Sequence, residues 1–438
     1  MKDRTKGFQF IILILIAFFV GYYFGVNKIS LDWKNYKPVL SISGKEPPPS
    51  LSNLDFSNFW AVWQSLNNNY YDKSKLDPSK MLNGAISGLV QSIEDPYTIY
   101  LPPTSNNNFK QGLAGQFQGI GAELGIKDKK IIIIAPLSDS PAQKAGIKAG
   151  DLVLKVDDVS TEGWTLSQTV SKIRGPKGTA VTLSVLHKDP PAGRTGSKNP
   201  QDIKITRDLI VVKSVDGFIK KVADIEHIKL TSILKAAEND EVIYLKLSQF
   251  GDSTNKDWLS LVNKLNLKVA NNPALTGQGK NFKGIVLDVR NNPGGYLTDA
   301  VFIASEFLRE GTPVVIEETG GGERSIFRTS RRGLFINTPI VILINKGSAS
   351  ASEIVSAALR DNGRAKLVGE TSFGKGTIQQ AEDLGNGAGL HITIAKWLTP
   401  NGTWVNGKGL SADIQVALDP KDQTRDSQLE KAIEELVK

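Results

Sequence analysis

The chain has 438 residues and a formal net charge of +8, and 40% of its residues are hydrophobic. This composition is typical of a globular protein, and the length predicts two or three domains. Lys and Arg are scattered rather than clustered, so a nucleic-acid partner is not expected. The absence of cysteine excludes disulfides, thiol catalysis and cysteine-ligated metals. The three histidines have no metal-ligand spacing, so a histidine-rich zinc site is not expected either.

The N-terminus differs in kind from the rest of the chain. Residues 1–7 include three basic residues, and residues 8–26 contain no charged residue. A helix of that second length spans about 28 Å, close to the hydrocarbon core of a bilayer. We therefore expect a single-pass membrane anchor with a cytoplasmic basic end and an extracytoplasmic (periplasmic or extracellular) body. A cleaved signal peptide is the alternative, although its apolar region is usually shorter.

A linker and a helical region are predicted between this anchor and the first strands. Residues 27–54 are polar and end in a proline run, which is typical of a stiff linker. Residues 55–108 are predicted to form a helical N-terminal region. Aromatic residues recur at helical spacing over residues 55–71, and Asp55 is placed to cap that helix. A second helix is predicted at residues 78–93, ending before an Asp-Pro pair.

Short strands punctuated by glycine characterise residues 109–212 and predict a small β-rich module. The turn Gly119-Ile-Gly-Ala122 can present consecutive backbone N–H groups to the terminal carboxylate of a peptide. The strand after it could then pair with the backbone of that peptide. Residues 189–200 are rich in Pro and Gly and predict a polar hairpin extension.

Apolar strands alternate with helices over residues 213–420, and a final helix is predicted within residues 421–438. Nearly continuous apolar strands that alternate with helices indicate an α/β core with both faces covered. Strands are predicted at residues 242–247, 284–289, 314–316 and 340–344, and helices at residues 254–266, 297–309 and 352–361.

A serine-rich turn, Lys346-Gly-Ser-Ala-Ser-Ala-Ser-Glu353, joins a predicted strand to a predicted helix. Three serines compete there for the role of nucleophile: Ser348, Ser350 and Ser352. Free backbone N–H groups at a helix N-terminus can bind a developing oxyanion, which favours chemistry at Ser350. Ser350 and Glu353 also have the capping-box spacing, so a helix cap without chemistry is the alternative.

Lys375 lies between two glycines at the start of a stretch with high β-strand propensity. A lysine shielded from water loses its proton more easily and can act as a general base toward serine. Gln379 lies four residues on, on the same face of a strand. Its amide oxygen could accept from the amine and aim the lone pair at Ser350. Lys375 alone could equally be solvated, but the three residues together favour a Ser/Lys dyad.

An oxyanion needs two donors, and two segments could supply them. One donor could be the backbone N–H of Ala351, and the other could come from the turn Asp288-Val-Arg-Asn-Asn-Pro-Gly-Gly295. Such a glycine turn after an α/β strand is where ligand sites tend to form. A plain strand-to-helix turn is the alternative, with Asp288 and Arg290 as an ion pair that fixes it.

These motifs resemble those of the carboxyl-terminal processing (tail-specific) proteases, which are PDZ-containing serine peptidases with a Ser/Lys dyad. The resemblance covers about residues 55–438. It implies a multidomain chain with an α/β (crotonase/ClpP-like) protease core and an inserted PDZ domain. The pieces that carry it are Gly347-Ser-Ala-Ser-Ala-Ser-Glu353, Phe373-Gly-Lys-Gly-Thr-Ile-Gln379, the Asp288–Gly295 turn and, in support, Asp95-Pro-Tyr-Thr-Ile-Tyr100.

The resemblance also implies roles for individual residues. Ser350 corresponds to the nucleophile, Lys375 to the general base and Gln379 to the residue that orients the lysine. Gly294 or Gly295 supplies the second oxyanion donor, and no metal or cofactor is needed. The predicted peptide-binding residues of the PDZ domain are Gln118, Gly119, Ile120, Gly121, Ala122 and Leu124.

The implied substrates are unfolded or flexible proteins with a free C-terminus. Arg174 could dock the PDZ domain onto the protease core, or it could be an exposed turn residue. The N- and C-terminal helices could form a homodimer. The alternative function is a catalytically silent, membrane-tethered PDZ scaffold. One departure from the family pattern is Ala412, where a proline is common.

Overall fold

A computed structural model describes the chain in two compact units, Met1–Leu82 and Asn83–Lys438. Most of the predicted anchor and most of the predicted linker lie outside the described residues, as does most of the predicted hairpin extension. In the part of the chain that is described, no helix is both long and apolar enough to span a bilayer. The described residues are 14, 15, 17–19, 21, 22, 29–34, 37–42 and 54–438, apart from 128, 129, 138, 139, 149, 165, 188–198, 212, 272–280 and 418–424.

The N-terminal unit contains an antiparallel strand pair and the first helix. Strands β1 (Ile29–Lys34) and β2 (Lys37–Ile42) pair antiparallel within the region predicted as linker. Helix α1 (Ser57–Asn69) follows. Asp55 lies one position before the N-cap. Its carboxylate accepts from the Ser57 N–H at 2.8 Å and so satisfies one of the free N–H groups at the start of the helix. Helix α2 (Pro78–Gln91) was predicted two residues too long.

A strand and a helix connect this region to the β-rich module: β3 (Ile99–Leu101) and α3 (Pro103–Leu113). The elements of the module are β4 (Gln116–Gly119), β5 (Ala122–Lys127), β6 (Lys130–Pro136), α4 (Pro141–Lys144), β7 (Leu152–Val156), β8 (Val159–Ser160), α5 (Leu166–Ile173), β9 (Ala180–Leu186), β10 (Gln201–Thr206) and β11 (Asp208–Val211). Inside the module, β10, β9, β7, β6 and β5 lie side by side, and β8 pairs with β7. The entering strand β4 pairs antiparallel with the leaving strand β11, so the module is an insertion that begins and ends at one place.

Two sheets form the rest of the chain. Their elements are β12 (Val215–Lys221), α6 (Ser232–Ala236), β13 (Glu241–Leu247), α7 (Thr254–Ala270), β14 (Phe282–Asp288), α8 (Leu297–Ala304), β15 (Pro313–Thr319), β16 (Arg324–Arg328), β17 (Ile340–Ile344), α9 (Ala351–Asp361), β18 (Lys366–Gly369), β19 (Thr377–Asp383), β20 (Gly389–Leu398), β21 (Ile414–Gln415) and α10 (Ser427–Val437). The first sheet has the order β12-β13-β14-β17-β18-β21 and is parallel except for the edge strand β12. The second sheet is antiparallel with the order β16-β15-β20-β19, and β3 pairs with β20.

Hydrophobic clusters cover both faces of the first sheet, which confirms the predicted α/β core. Successive residues of β14 point to opposite faces, as the pleat of a strand requires. Ile285 and Leu287 pack in one cluster with Trp258 and Phe307, whereas Val286 packs in the other with Ile433 of α10. A strand buried on both faces needs the continuous apolar run seen in the sequence.

The topology brings three loops to one edge of this sheet. Strands β14, β17 and β18 are adjacent and parallel, so their carboxyl ends lie side by side. The loop after β14 contains Gly294 and Gly295, the loop after β17 contains Ser350, and the loop after β18 contains Lys375. This edge is where open α/β sheets usually form their sites.

Candidate active site

Ser350 occupies a sharp turn between β17 and α9. It is the N-cap of α9 with φ 54° and ψ −116°, a backbone conformation that is strained for a residue with a side chain. Its two competitors are fully buried and already engaged. The Ser348 hydroxyl donates to the Val289 carbonyl at 2.8 Å, and the Ser352 hydroxyl donates to the Ala349 carbonyl at 2.7 Å. Of the three serines, Ser350 is the one placed to react.

The buried carboxylate of Glu353 joins the serine loop to the lysine loop. One oxygen accepts from the backbone N–H of Ser350 at 2.8 Å and from that of Lys375 at 2.9 Å. The other accepts from the Ser372 hydroxyl at 2.5 Å and the Gly374 N–H at 2.7 Å. The sequence indicated only a helix cap, because the second set of donors comes from a segment 19 to 22 residues away. Glu353 therefore fixes the backbones of both predicted catalytic residues with one side chain.

Two tryptophans fix the carbonyl side of the lysine loop. The indole N–H of Trp397 donates to the Lys375 carbonyl at 2.8 Å, and that of Trp404 donates to the Gly376 carbonyl at 2.9 Å. Neither tryptophan was predicted as a site residue, because its contribution depends on β20 and the following turn packing against this loop. The Lys375 backbone is thus held on its N–H and carbonyl sides.

The Lys375 side chain is half-buried and lies against Tyr97. Its Nζ is 5.2 Å from the centre of the Tyr97 ring, within the range of a cation–π interaction. Burial lowers the pKa of Lys375 from its usual value, and the negative charge of Asp95 opposes part of that effect. The direction is the one that a lysine general base requires.

Hydrogen bonds do not join the three predicted side chains to one another, although Glu353 joins the backbones of Ser350 and Lys375. In the described part of the chain, Lys375 Nζ makes no hydrogen bond to Ser350 or to Gln379. The Gln379 amide instead donates to the Thr377 hydroxyl at 2.8 Å and the Thr393 hydroxyl at 3.1 Å. This arrangement fixes the Gln379 amide group and leaves its carbonyl oxygen free to accept.

The loop after β14 distinguishes the two candidate oxyanion glycines. The Gly294 N–H donates to the Asn292 side chain at 2.9 Å, and Asn292 in turn donates to the Leu247 carbonyl at 2.8 Å. Within the described residues, neither the Gly295 N–H nor the Ala351 N–H donates a hydrogen bond. Gly294 has φ +98°, and a Cβ there would lie 2.8 Å from Ser350 Cβ. Its lack of a side chain therefore permits the close approach to the serine.

A network of ion pairs fixes the base of the same loop. The Arg290 guanidinium contacts Asp288 at 2.7 Å and Asp426, ahead of α10, at 2.8 Å. These carboxylates raise the pKa of Arg290 above its usual value, although burial opposes them. The ion pair predicted between Asp288 and Arg290 is confirmed, and its link to the C-terminal helix adds a tie that the sequence did not reveal.

A cavity of about 110 Å³ opens in the β-rich module beside β5 and α5. Among the predicted peptide-binding residues, Gln118 does not line it. Its side chain accepts from the Lys177 N–H at 2.7 Å, because it lies on β4 outside the groove. Arg174 does line the cavity, and its guanidinium lies 5.0 Å from the centre of the Phe117 ring. The other lining residues are Gly119, Ile120, Gly121, Ala122, Leu124, Val170 and Ile173.

Comparison with protein families identifies the domains. Residues 241–416 match the family model described as Peptidase family S41. Residues 110–186 match the PDZ domain, and residues 18–104 match the domain described as the activating protease CtpB N-terminal domain. The chain is therefore a serine-type peptidase with a PDZ domain.

Individual relatives narrow this class. The chain is 33% identical over 399 residues to the carboxy-terminal processing protease CtpB of Bacillus subtilis, covering 90% of this chain and 74% of the relative. It is also 33% identical over 369 residues to CtpA of the same bacterium, covering 84% and 70%. A solved structure of a photosystem II D1 C-terminal processing protease matches with a TM-score of 0.50 and 26% identity, covering 87% and 96%. The chain belongs to the carboxy-terminal processing protease family.

Proposed function

We propose that this protein is a membrane-anchored endopeptidase that recognises C-terminal tails through its PDZ domain and cleaves peptide bonds with a Ser350/Lys375 dyad assisted by Gln379. The observation that carries the proposal is the Glu353 carboxylate, which holds the backbones of Ser350 and Lys375 at 2.8 Å and 2.9 Å. One buried group thereby holds the backbone of a strained serine and that of a lysine whose pKa is lowered by burial, which supports the proposal.

Acylation begins when neutral Lys375 accepts the proton of the Ser350 hydroxyl as Oγ attacks the scissile carbonyl carbon. For this step the amine moves from the Tyr97 ring into hydrogen-bond reach of Ser350. The free carbonyl oxygen of Gln379 can accept from the amine and orient its lone pair. Lys375 then gives the proton to the departing amine. Water attacks the resulting ester with Lys375 again as base, and Ser350 regains its proton.

The developing oxyanion needs donors that are not already used. Ala351 and Gly295 meet this condition, whereas the Gly294 N–H already donates to Asn292 at 2.9 Å. We therefore assign the two donors to the backbone N–H groups of Ala351 and Gly295. Gly294 contributes in another way, because it has no side chain and so lets the loop approach Ser350 closely.

Tail recognition is assigned to the cavity beside β5 and α5. Gly119, Gly121 and Ala122 can present backbone N–H groups to a terminal carboxylate. Arg174 adds a positive charge at the same cavity, so it also fits recognition of the carboxylate. Docking of Arg174 on the protease core stays a prediction.

Membrane anchoring by residues 8–26 and an extracytoplasmic body are part of the proposal, on the strength of the uncharged segment and the basic residues before it. Fractionation of cells that express the full chain, with carbonate extraction and surface proteolysis, tests both points. Recovery of the chain in the soluble fraction would contradict anchoring. The homodimer through terminal helices stays a prediction.

The proposed dyad is tested by Ser350→Ala and Lys375→Ala in the purified catalytic body, with a flexible protein substrate that ends in a free carboxylate. Each variant should lose about 1,000-fold or more in kcat/KM while it keeps the wild-type melting temperature. Lys346→Ala is the matched control, since it is the first residue of the serine-rich turn and its side chain is 83% exposed. Activity near wild type in either dyad variant would overturn the assignment, and a cleavage-inactive wild type that still binds tails would favour the scaffold.

The pH dependence provides a second test. Rates should rise sigmoidally with pH as Lys375 loses its proton, with a midpoint below the usual lysine value because burial lowers the pKa. Rates that do not change between neutral and alkaline pH would contradict a lysine base.

A further inference from the structure

The turn Asp95-Pro-Tyr-Thr98 lies at the catalytic lysine, yet the mechanism above gives it no task. The Tyr97 ring faces the Lys375 amine, with 5.2 Å between Nζ and the ring centre. Tyr97 is half-buried, and among the described residues its ring is the aromatic group that contacts this amine. Burial and the charges of Glu353 and Asp95 raise the pKa of Tyr97, so its phenol stays neutral at physiological pH.

Hydrogen bonds hold this turn in one conformation. The Asp95 carboxylate accepts from the Tyr97 N–H at 3.0 Å and from the Thr98 hydroxyl at 2.6 Å. Thr98 is buried, and its hydroxyl oxygen accepts from the Thr393 N–H of β20 at 3.1 Å. The ring that contacts Lys375 is therefore tied to the sheet rather than carried on a free loop.

The same bonds reach Gln379. The Thr393 hydroxyl accepts from the Gln379 amide at 3.1 Å, so Asp95, Thr98, Thr393 and Gln379 form a continuous chain. Strand β3 begins directly after the turn and pairs with β20, where Ile99 lies opposite His391. One short segment thus sets the place of both the amine and the amide that orients it.

We propose that Tyr97 is the positioning residue for the base: its ring face binds the Lys375 ammonium group and covers it from water until the amine engages Ser350. This inference rests on the proposed dyad. A ring has two opposed effects on a lysine. Its bulk excludes water and disfavours the charged amine, whereas its π face favours the charged amine. Removal of one property at a time separates them.

Other charges also face the amine and are kept constant in the test. Among the residues that the structure describes, these are the Asp95 carboxylate, the Glu353 carboxylate at the Lys375 N–H, and His391. Burial and the nearby Lys375 charge both lower the pKa of His391. None of these groups is altered when only Tyr97 is substituted.

The experiment compares Tyr97→Phe, Tyr97→Leu and Tyr97→Ala, each also made in the Ser350→Ala background. Competitive acetylation followed by mass spectrometry measures the protonation of the Lys375 amine without any need for turnover. Tyr97→Phe keeps the face and should leave the midpoint unchanged. Tyr97→Leu keeps the bulk without the face and should lower the midpoint by about 0.5–1 pH unit. Tyr97→Ala admits water and should raise it.

The same midpoints should appear in the pH profile of kcat/KM when Ser350 is present. Plateau rates of Tyr97→Phe should stay within about twofold of wild type, and those of the other two should be lower. Tyr100→Phe is the control, since it keeps the ring on the same segment and removes only the hydroxyl that donates to Asn83 at 2.7 Å. Its midpoint should not move.

Identical midpoints in all Tyr97 variants would overturn the proposal, even if rates fall, because a purely structural role lowers rates without changing protonation. If Tyr97→Ala does not fold, the contrast between Tyr97→Phe and Tyr97→Leu still decides. Failure of the dyad itself gives a different result: turnover would survive Lys375→Ala, whatever the acetylation midpoints.

Discussion

The catalytic edge and the PDZ groove of this protein are built in opposite ways. At the catalytic edge, backbone groups are held by buried side chains: Glu353 accepts four hydrogen bonds, and two indoles hold adjacent carbonyls. In the PDZ groove, the contact surface is mostly glycine backbone and apolar side chains, with the exposed Arg174 at its rim. The difference fits the proposed function, in which one site holds the backbones of Ser350 and Lys375 and the other binds a C-terminal tail. Changes at the first should lower kcat, and changes at the second should raise KM.

Among the residues that support the dyad, the largest effect is expected at Glu353. Glu353→Gln cannot accept on both sides of its side chain, so it should displace Ser350 and Lys375 from each other and lower kcat by about 100-fold or more. Glu353→Ala leaves several buried donors unpaired and should also lower the melting temperature. Steady-state kinetics and thermal unfolding measure both effects. Glu310→Gln, at an exposed glutamate, is the control. A Glu353→Gln variant with wild-type kcat would contradict the proposal that Glu353 holds Ser350 and Lys375 in place.

A similar loss is expected at Gly294. A Cβ in Gly294→Ala would meet the Ala349 carbonyl oxygen at 2.7 Å and Ser350 Cβ at 2.8 Å, at a φ of +98°. The loop must then move from the serine, and kcat should fall by about 100-fold with little change in KM. Gly320→Ala is the matched control, because nothing lies within 4 Å of its added Cβ. Equal kinetics in the two variants would show that the close approach does not matter.

A smaller and different effect is expected in the PDZ groove. Arg174→Ala should raise KM for substrates with a free C-terminal carboxylate by about tenfold, since charge-assisted hydrogen bonds contribute about 1.5–3 kcal/mol. It should change little for the same substrate with an amidated end. Lys172→Ala, at an exposed position in the last turn of α5 and two residues before Arg174, is the control. A fall in kcat with unchanged KM would instead support docking of Arg174 on the protease core.

The last effect concerns stability rather than kinetics and lies in α8, directly after the loop that contains Gly294 and Gly295. Burial and the nearby Asp252 raise the pKa of Asp299 to about 6, although a hydrogen bond from Asn255 opposes this. The folded state then binds a proton more tightly than the unfolded state, so this group's contribution to stability falls as pH rises from 3.8 to about 6.

Asp299→Asn removes that titration. The stability of the variant relative to wild type should increase from acidic to neutral pH by about 1–3 kcal/mol in the free energy of unfolding, and its relative melting temperature should rise accordingly. Thermal unfolding at the two pH values measures it, with Asp224→Asn at an exposed site as control. A melting difference that does not depend on pH would contradict the raised pKa.

Much of the fold could be predicted because burial leaves a clear trace in sequence. The strand Ile340–Ile344 was predicted to the residue, since a parallel strand buried on both faces must be apolar throughout. Strand β12 was missed, because an edge strand with charged residues at its end lacks that pattern. Helix α3 was missed because its asparagine-rich sequence has low helix propensity and depends on contacts elsewhere in the chain.

The residues of the proposed site could be predicted from the sequence, but the contacts that support them could not. A serine before a helix and a lysine between glycines each require a local backbone conformation that is visible in the sequence. The bonds of Glu353 to the lysine loop, the indole of Trp397 and the ring of Tyr97 require strands distant in sequence to be adjacent. Gly294 and Gly295 look alike in sequence, and only the folded loop distinguishes them, through the Asn292 contact of Gly294 and its close approach to Ser350.

The central claim is that Lys375 activates Ser350, and covalent trapping tests it most directly. The purified protein is treated with an activated ester of a short peptide, quenched and digested with trypsin, which releases residues 347–360 as one peptide. In wild type, mass spectrometry should find the acyl group on Ser350, and in Lys375→Ala that signal should be lost while the fold persists. Acylation of Ser350 at the same rate without Lys375, or acylation of Ser348 or Ser352 instead, would contradict the account.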